Sequence, residues 1–295
     1  MTTVETAPTL FAEVNSIKYA YRHLGPDIST GSTPIVMLNH FRATIDHWDP
    51  SLIHALAHTL PIILVDNAGV GHSTGEVPDS IAGMAKHIET FIDHLGLKEI
   101  YLYGFSLGGI IAQQVTLDTL SQGLVKKLML VGTTCGYGPN TPPGTLEQPD
   151  SAGVQANSGV ADVQMSNIQK LFFYPSATSQ AEGEKYWARI HRRTKETTGE
   201  VRAPYLPVGQ NLMNMAIAGR KWAAGEGSLE RLHEIKIPVF ISNGKSDYML
   251  PTQHSWVMSE RMSNSQLIVY PDSGHGAGFQ FAELHAKHIL LFLEG

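Results

Sequence analysis

The strongest indication of the fold is the segment Ile100-Tyr101-Leu102-Tyr103-Gly104-Phe105-Ser106-Leu107-Gly108-Gly109. Residues 100–103 form a short apolar run typical of a buried strand, and residues 107–120 show a helical pattern. Only a very tight turn fits between them. A serine at such a turn, with glycines two positions before and after it, adopts a strained backbone and projects its hydroxyl above the sheet. The competing interpretation is a glycine-rich turn that merely packs closely.

The rest of the chain alternates short apolar runs with longer helical patterns. Buried strands are predicted at residues 35–38, 62–65, 128–131, 239–241 and 267–270, and a starting hairpin at 10–14 and 17–21. Helices are predicted at residues 50–59, 80–95 and 279–293. Continuous rather than alternating apolar runs indicate strands covered on both faces. We therefore expect an α/β fold with a doubly wound, mostly parallel, eight-stranded sheet.

One interval, residues 136–234, breaks this alternation. It begins with a loop at residues 137–150 that is rich in Pro, Gly and Thr, and helical patterns follow at 162–173, 179–193 and 209–224. A structureless connection of this length is implausible in a compact domain. The expected organisation is a core of residues 1–135 and 235–295 with a helical cap, residues 136–234, inserted between two core strands.

The composition limits the class of protein. The 295 residues are 42% hydrophobic and 16% charged, with a net charge of −6 and both signs mixed along the chain. The sequence has no basic patch that would indicate nucleic-acid binding and no apolar run long enough for a membrane span. Its N-terminus shows no signal-peptide pattern. The single cysteine, Cys135, fits a reducing compartment. We expect a cytoplasmic protein with a small-molecule substrate, and homo-oligomerisation stays open.

A serine hydroxyl is a weak nucleophile until a base removes its proton. Fourteen histidines compete for that role. His275 stands out because Pro271-Asp272-Ser273-Gly274-His275-Gly276 forms a loop just after the last predicted strand. In a parallel sheet this loop emerges at the same edge as Ser106.

The histidine in turn needs a carboxylate that fixes its tautomer. Asp247 follows the strand at residues 239–241 through a short loop, and the chain order Ser106, Asp247, His275 is the one expected for this fold. A turn or helix-capping aspartate is the competing interpretation of Asp247. Asp272, although close to His275 in sequence, is better explained as a turn residue.

Acyl transfer also needs two N–H donors for the oxyanion. One donor should be the amide of Leu107, just after the serine, and the other the amide of Phe41, in the loop after the strand at 35–38. No cofactor or metal is expected. His54 and His58 lie four residues apart on a predicted helix, but no third ligand is evident, so a polar helix face explains them better.

With these motifs the chain resembles the α/β-hydrolases from about Phe11 to its C-terminus. More narrowly it resembles a serine-nucleophile subgroup grouped with cofactor-free haloperoxidases and esterases. The likeness is carried by His40-Phe41-Arg42 with Asp46 and Trp48-Asp49-Pro50, by Asp66-Asn67-Ala68-Gly69-Val70-Gly71-His72-Ser73, and by Phe172-Phe173-Tyr174-Pro175-Ser176. One departure is Asn39-His40, which stands where the family has His-Gly and puts the shape of the oxyanion hole in question.

The predicted function is hydrolysis of a carboxylic ester or lactone of a small, mainly apolar molecule through an acyl-serine. The substrate pocket is expected at His40 and Arg42 beside the oxyanion loop and at Phe173, Trp187 and Met213 in the cap. His40 has two possible roles: it lines the pocket, or it braces the loop. Rival functions are perhydrolysis, carbon–carbon cleavage or a lyase reaction with the same triad, and ligand binding as a small-molecule receptor.

Overall fold

The computed structural model describes residues 2–144, 165–201 and 209–295. The described residues contain eight strands, which we number in chain order. They are β1 Leu10–Val14, β2 Ile17–Leu24, β3 Ile35–Leu38, β4 Ile62–Val65, β5 Ile100–Phe105, β6 Val125–Val131, β7 Val239–Gly244 and β8 Ser265–Tyr270. All eight join one sheet in the order β1-β2-β4-β3-β5-β6-β7-β8.

The pairing of the strands fixes where the loops emerge. Strands β3 to β8 pair in parallel with their neighbours, whereas β1 and β2 pair antiparallel with each other and β2 pairs antiparallel with β4. The strand order reverses between β3 and β5: after β3 the chain adds β4 on one side of it and β5 on the other. Ligand sites of such open sheets lie at this switch point, outside the carboxyl ends of the strands. The predicted eight-stranded, mostly parallel sheet is confirmed.

Helices cover both faces of the sheet. They are α1 Pro50–Ala57, α2 Ile81–His94, α3 Leu107–Asp118, α4 Met165–Phe172, α5 Ala177–Ile190, α6 Lys195–Thr198, α7 Gln210–Lys221, α8 Gln253–Arg261, α9 Ala277–Gln280 and α10 Ala282–Glu294. Short 3-10 turns lie at Ile28–Thr30, Ile45–His47, Leu120–Gln122 and Leu232–Glu234, and α7 runs on into a π-helical turn, Trp222–Glu226. Among the described residues, no helix is long and apolar enough to cross a membrane.

The buried strands divide the core into two apolar clusters. On β3, Val36 and Leu38 belong to the cluster that contains α2 and α3, whereas Ile35 and Met37 belong to the cluster that contains α1 and α10. Successive side chains of a strand point to opposite faces. A continuous apolar run therefore supplies both clusters at once, which explains why the strands lack a polar alternation.

The helices between β6 and β7 dock onto the core with polar contacts as well as apolar ones. Arg189 of α5 donates two hydrogen bonds to Asp49, the N-cap of α1, at 2.8 and 2.6 Å. The Tyr186 hydroxyl donates to the His47 carbonyl at 2.8 Å. Both Tyr186 and Phe172 are buried in the cluster of α1 and α10. Met215 and Ala218 of α7 belong to the other cluster, so the insertion contributes to both.

Differences from the sequence prediction lie mostly at element ends. Five strands are longer than predicted, and the predicted helix at residues 279–293 is split by Phe281 into α9 and α10. Helix α8, between β7 and β8, was not predicted. The start of the predicted helix at 162–173 and residues 145–150 of the predicted loop at 137–150 lie outside the described residues. The division into a core and a cap at residues 136–234 stays a prediction.

Candidate active site

Ser106 occupies the tight turn between β5 and α3 in a backbone conformation that non-glycine residues rarely adopt. Its φ is 55° and its ψ is −117°, and its amide donates to Val131 O at 2.9 Å. A Cβ on Gly104 would lie 2.3 Å from Gly108 O, and one on Gly108 would lie 2.1 Å from Leu38 O. The two glycines are therefore required by close backbone contacts. Strain held in this way is common at functional sites.

The Ser106 hydroxyl is left available by this geometry. Its side chain makes no capping hydrogen bond to α3, among the residues that the structure describes, although Ser106 is the N-cap of that helix. Thr133, which follows β6, donates to the Ser106 carbonyl at 2.8 Å and so holds the turn from below. Ser106 is 7% exposed. The first-turn N–H groups of a helix favour negative charge beside them.

His275 and Asp247 form a buried pair at the same edge of the sheet. Nδ1 of His275 is 2.7 Å from Oδ2 of Asp247. The second carboxylate oxygen, Oδ1, accepts the amides of Met249 and Leu250, each at 2.9 Å. Because a carboxylate only accepts, Nδ1 carries the proton and Nε2 of the neutral ring keeps a lone pair. Both interpretations of Asp247 therefore apply, since one oxygen serves the turn and the other the histidine.

The loop that carries His275 is fixed by its neighbours. The Gly276 amide donates to Phe172 O at 2.7 Å, and a Cβ on Gly274 would lie 2.9 Å from the same oxygen. Asp272 is exposed, has a φ of 48° and accepts the Ser176 hydroxyl at 2.9 Å. The carboxylate bonded to His275 is that of Asp247, and Asp272 occupies a turn on the surface.

Aromatic rings surround the imidazole of His275. The Phe105 ring lies 5.0 Å from it and the Phe172 ring 5.4 Å, between centroids. Phe279 packs on both phenylalanines, at 5.1 and 6.2 Å. These side chains form an apolar wall around the polar pair, which excludes water and strengthens charge interactions at the site.

The loop after β3 forms the opposite side of the site. Asn39 Oδ1 accepts the His40 amide at 2.8 Å, and the Asn39 amide group donates to Thr44 O at 3.0 Å. The Arg42 amide donates to Met215 Sδ of α7 at 3.2 Å. The amides on either side of Phe41 are thus both engaged. Gly108 and Leu38, in close contact, bring this loop next to the start of α3.

Two charged groups support this loop. Arg42 has a φ of 65° and is buried, and burial lowers the pKa of its guanidinium to about 10. Asp66, at the end of β4, accepts the Ile45 amide at 2.7 Å and the His72 amide at 3.1 Å. Burial raises the pKa of Asp66 to about 7, with a smaller contribution from the nearby Asp46. Both side chains are thus less readily charged than in water.

His40 lies between the two sides of the site. Its ring is 5.4 Å from Phe105 and 4.9 Å from Phe172, the two rings that also contact His275. Its Nδ1 is 3.0 Å from the Phe41 carbonyl. Burial, and secondarily the charge of His275, lower the pKa of His40 to about 3. His40 is therefore neutral at ordinary pH.

The other predicted pocket residues lie farther out on the inserted helices. Phe173 is buried between α4 and α5, with its ring 6.0 Å from that of Tyr186. Trp187 of α5 is partly buried and packs on His191 at 4.2 Å. Met213 of α7 is 52% exposed. Phe173 belongs to the apolar cluster of α1 and α10 and Trp187 packs against it, and the role of all three residues in substrate selection stays a prediction.

Sequence analysis overlooked contacts that come from distant parts of the chain. Phe172 faces His275, whereas the neighbouring Phe173 had been selected for the pocket. The sulfur of Met215 contacts the loop after β3, a pairing that no local pattern in the sequence predicts. Thr133 is predictable from its position in the sequence, because it follows the carboxyl end of β6. In the described part of the chain, no group of three or more His, Cys, Asp or Glu side chains is arranged to hold a metal ion.

Comparison with known proteins identifies a matching family and a similar solved structure. Residues 33–282 match the family model described as the alpha/beta hydrolase fold. An alpha/beta hydrolase fold protein from Chitinophaga pinensis has a structure that superposes with a TM-score of 0.82, at 30% identity, over 100% of both chains.

Two similar proteins carry names that specify an activity. The poly(3-hydroxyalkanoate) depolymerase of Ectopseudomonas oleovorans is 27% identical over 288 residues, which is 97% of this chain and 92% of that protein. A protein of Agrobacterium fabrum, whose name of carbamate hydrolase RutD is itself provisional, is 24% identical over 252 residues, covering 84% and 87%.

Proposed function

This chain belongs to the α/β-hydrolase fold family and is a hydrolase of that fold, and we propose that it cleaves a carboxylic ester or lactone through an acyl-enzyme on Ser106. The observation that carries the proposal is the strained turn at Ser106 together with the buried His275–Asp247 pair at the same sheet edge. Such a constellation suits nucleophilic catalysis by a serine.

In the proposed reaction His275 acts first as base and then as acid. Its Nε2 lone pair takes the Ser106 hydroxyl proton while Oγ attacks the substrate carbonyl carbon. The tetrahedral intermediate collapses, and the same proton passes to the leaving alkoxide. Water then attacks the acyl-serine by the same route and releases the acid. Asp247 keeps the proton on Nδ1 and stabilises the imidazolium at each step.

The oxyanion of each tetrahedral intermediate needs preorganised donors. We assign these to the amides of Leu107, at the first position of α3, and of Phe41, on the loop after β3. Removing one such donor typically costs about 100-fold to 1,000-fold in kcat. The close contact between Gly108 and the end of β3 supports this assignment, because it brings the two backbone segments together.

The surroundings favour a small, mainly apolar substrate. Phe105, Phe172 and Phe279 supply the nearest ring surfaces to the proposed base. The inserted helices, acting as a cap, would supply the rest of the pocket. We further propose a cytoplasmic enzyme without nucleic-acid or membrane partners, from the composition and the single cysteine.

A carbamate is a second candidate substrate. The similarity to a protein named carbamate hydrolase over 84% of this chain favours it. A carbamate places a nitrogen directly on the carbonyl carbon that Ser106 would attack, and the same triad and donors would serve. The ester remains the first choice because the poly(3-hydroxyalkanoate) depolymerase is similar over 97% of this chain.

The test combines a serine-reactive fluorophosphonate probe with a screen of esters, lactones, carbamates and amides. We expect the probe to label the wild type and the Ser121→Ala variant, which changes an exposed serine, but not Ser106→Ala. We expect turnover of esters or lactones by the first two proteins only. Labelling of Ser106→Ala at the wild-type rate, or an absence of ester and lactone turnover, would overturn the proposal.

A further inference from the structure

His40 presents an acceptor atom that the mechanism above does not use. The carbonyl of Phe41 can only accept, so the 3.0 Å contact places the proton of the neutral ring on Nδ1. Its Nε2 therefore carries a lone pair. This atom is buried and has no hydrogen-bond partner among the described residues. The residue as a whole is 8% exposed.

A buried polar atom without a partner is uncommon in folded proteins and destabilises them by its lost hydration. The position of His40 gives this atom a use. Its ring shares Phe105 and Phe172 with the ring of His275, so both imidazoles border the same aromatic wall. His40 also directly precedes Phe41, whose amide we assign to the oxyanion hole.

The lone pair on Nε2 has a definite electrostatic preference. A lone pair repels a developing negative charge and cannot serve as a third donor to the oxyanion. The repulsion disappears when the substrate brings its own proton donor to this atom. Because burial holds the pKa of His40 at about 3, protonation of the ring does not offer an alternative at neutral pH.

We propose that His40 is a specificity-determining residue, whose Nε2 accepts a hydrogen bond from an O–H or N–H group at the α or β position of the acyl part of the substrate. The acyl side follows from the loop, since the carbonyl oxygen would bind the amide of the very next residue. This inference rests on the proposed function. Its substrate class is hydroxyacyl esters and lactones or N–H carbamates.

The first test uses the wild type and p-nitrophenyl esters that each differ from the butyrate at a single carbon. They are the butyrate, the 2-hydroxybutyrate, the 3-hydroxybutyrate and the 3-methoxybutyrate. We expect kcat/KM for at least one hydroxy ester to exceed that for both butyrate and the methoxy ester by about tenfold or more, because only the hydroxyl can donate. A matched N-methyl and N,N-dimethyl carbamate pair separates a hydroxyl preference from an N–H preference.

The second test asks whether His40 causes the preference. We expect the donor-to-non-donor ratio to fall to about one in His40→Leu and to be kept in part by His40→Gln, whose amide oxygen can accept. His58→Leu, at an exposed histidine on the end of α1, should keep the wild-type ratio. The ratio compares two substrates on one protein, so it is insensitive to the fraction of each variant that folds.

Three outcomes would overturn the inference. A wild-type ratio near one for every donor pair, with good ester turnover, would remove His40 from specificity but leave the proposed function intact. An undiminished ratio in His40→Leu would assign the preference to another residue. No ester, lactone or carbamate turnover, with no fluorophosphonate labelling, would overturn the proposed function and this inference with it.

Discussion

The two sides of the site are built differently. On the side of β7 and β8, both carboxylate oxygens of Asp247 and the Nδ1 of His275 have partners within short loops. On the side of β3, the loop holds a residue with positive φ at Arg42, and one of its amides is bonded to the sulfur of Met215. The first side keeps the bonds of its acid–base pair within loops at the sheet edge and adds one backbone bond to Phe172 of α4, whereas the second side depends on a side chain of α7.

Because of this difference, we expect catalysis to depend on the first side and substrate selection on the second. Short loops at the ends of parallel strands position the proposed acid and base, and Phe172 of α4 accepts the Gly276 amide beside His275. The oxyanion loop takes contacts from α7 and from Asp66 at the end of β4, so its shape responds to distant parts of the chain. Substitutions on the first side should abolish turnover, and those on the second should change its rate and its substrate preference.

Removal of the Ser106 hydroxyl should have the largest effect. Ser106→Ala should lower kcat by about 10⁴-fold to 10⁶-fold, because no nucleophile replaces Oγ. The strained turn does not depend on Oγ, so circular dichroism and the thermal unfolding midpoint should stay close to wild type. Near-native turnover of the true substrate by Ser106→Ala would exclude an acyl-serine.

The carboxylate prediction separates Asp247 from Asp272. Asp247→Asn should lower kcat by about 10⁴-fold, because the amide group can impose the wrong tautomer on His275. Asp272→Asn should change kcat by about threefold at most, since its exposed carboxylate accepts the Ser176 hydroxyl at the surface. Steady-state kinetics of both variants on one ester suffice. If Asp272→Asn is the damaging change, the acid is wrongly assigned.

Much of the first side could be predicted from sequence for a simple physical reason. Continuous apolar runs give the number of strands, and parallel pairing brings the loops after β5, β7 and β8 to one edge. Ser106, Asp247 and His275 follow these strands, so their placement needs only the chain order. The prediction of the fold is confirmed, and the catalytic roles of the three residues stay predictions.

The second side could not be predicted, because its contacts join distant segments. The Arg42 amide and Met215 are 173 residues apart, and no local pattern in the sequence pairs them. Phe172 and Phe173 are both buried, and only the orientation of α4 decides that Phe172 meets His275. A helix turns by about 100° per residue, so neighbouring positions face different surroundings.

The support of the oxyanion loop by Asp66 should be visible in the pH dependence of stability. The folded pKa of about 7 lies above the ordinary 3.8, so the folded protein holds an extra proton between these values. The resulting stabilisation is complete below about pH 4 and is lost as the pH rises through 7. The total change is about 4 kcal/mol at most, since one pKa unit is worth about 1.4 kcal/mol.

The measurement compares Asp66→Asn with wild type by urea unfolding from pH 4 to pH 8. The free energy of unfolding of wild type should fall relative to that of Asp66→Asn as the pH rises, because asparagine does not titrate. The replaced acceptor adds a cost that is the same at every pH. Asp118→Asn, at an exposed position, controls for the lost charge. A pH-independent difference between wild type and Asp66→Asn would contradict the prediction.

A smaller effect is expected from the contact between α7 and the loop. Met215→Leu conserves volume but removes the sulfur that accepts the Arg42 amide. We expect kcat/KM to fall by about tenfold, with a loss of stability under about 1.5 kcal/mol. Met258→Leu, at a buried position on α8, is the matched control and should leave kcat/KM within about twofold. Equal losses of kcat/KM in both variants would point to general packing instead.

The smallest effect should come from the outer part of the insertion, where we predict selection by chain length. Each well-buried methylene of the acyl group should contribute up to about 0.8 kcal/mol to kcat/KM, roughly fourfold, until the pocket is full. Trp187 offers a partly buried ring and Met213 a half-exposed side chain, so Trp187→Ala should flatten the chain-length profile more than Met213→Ala.

Trp256→Ala, at an exposed tryptophan of α8 outside the insertion, should keep the wild-type profile. A homologous series of unbranched acyl esters, measured on the four proteins, gives the answer. A flat profile that neither substitution alters would place chain-length selection outside these helices and leave the oxyanion loop as the remaining source of specificity.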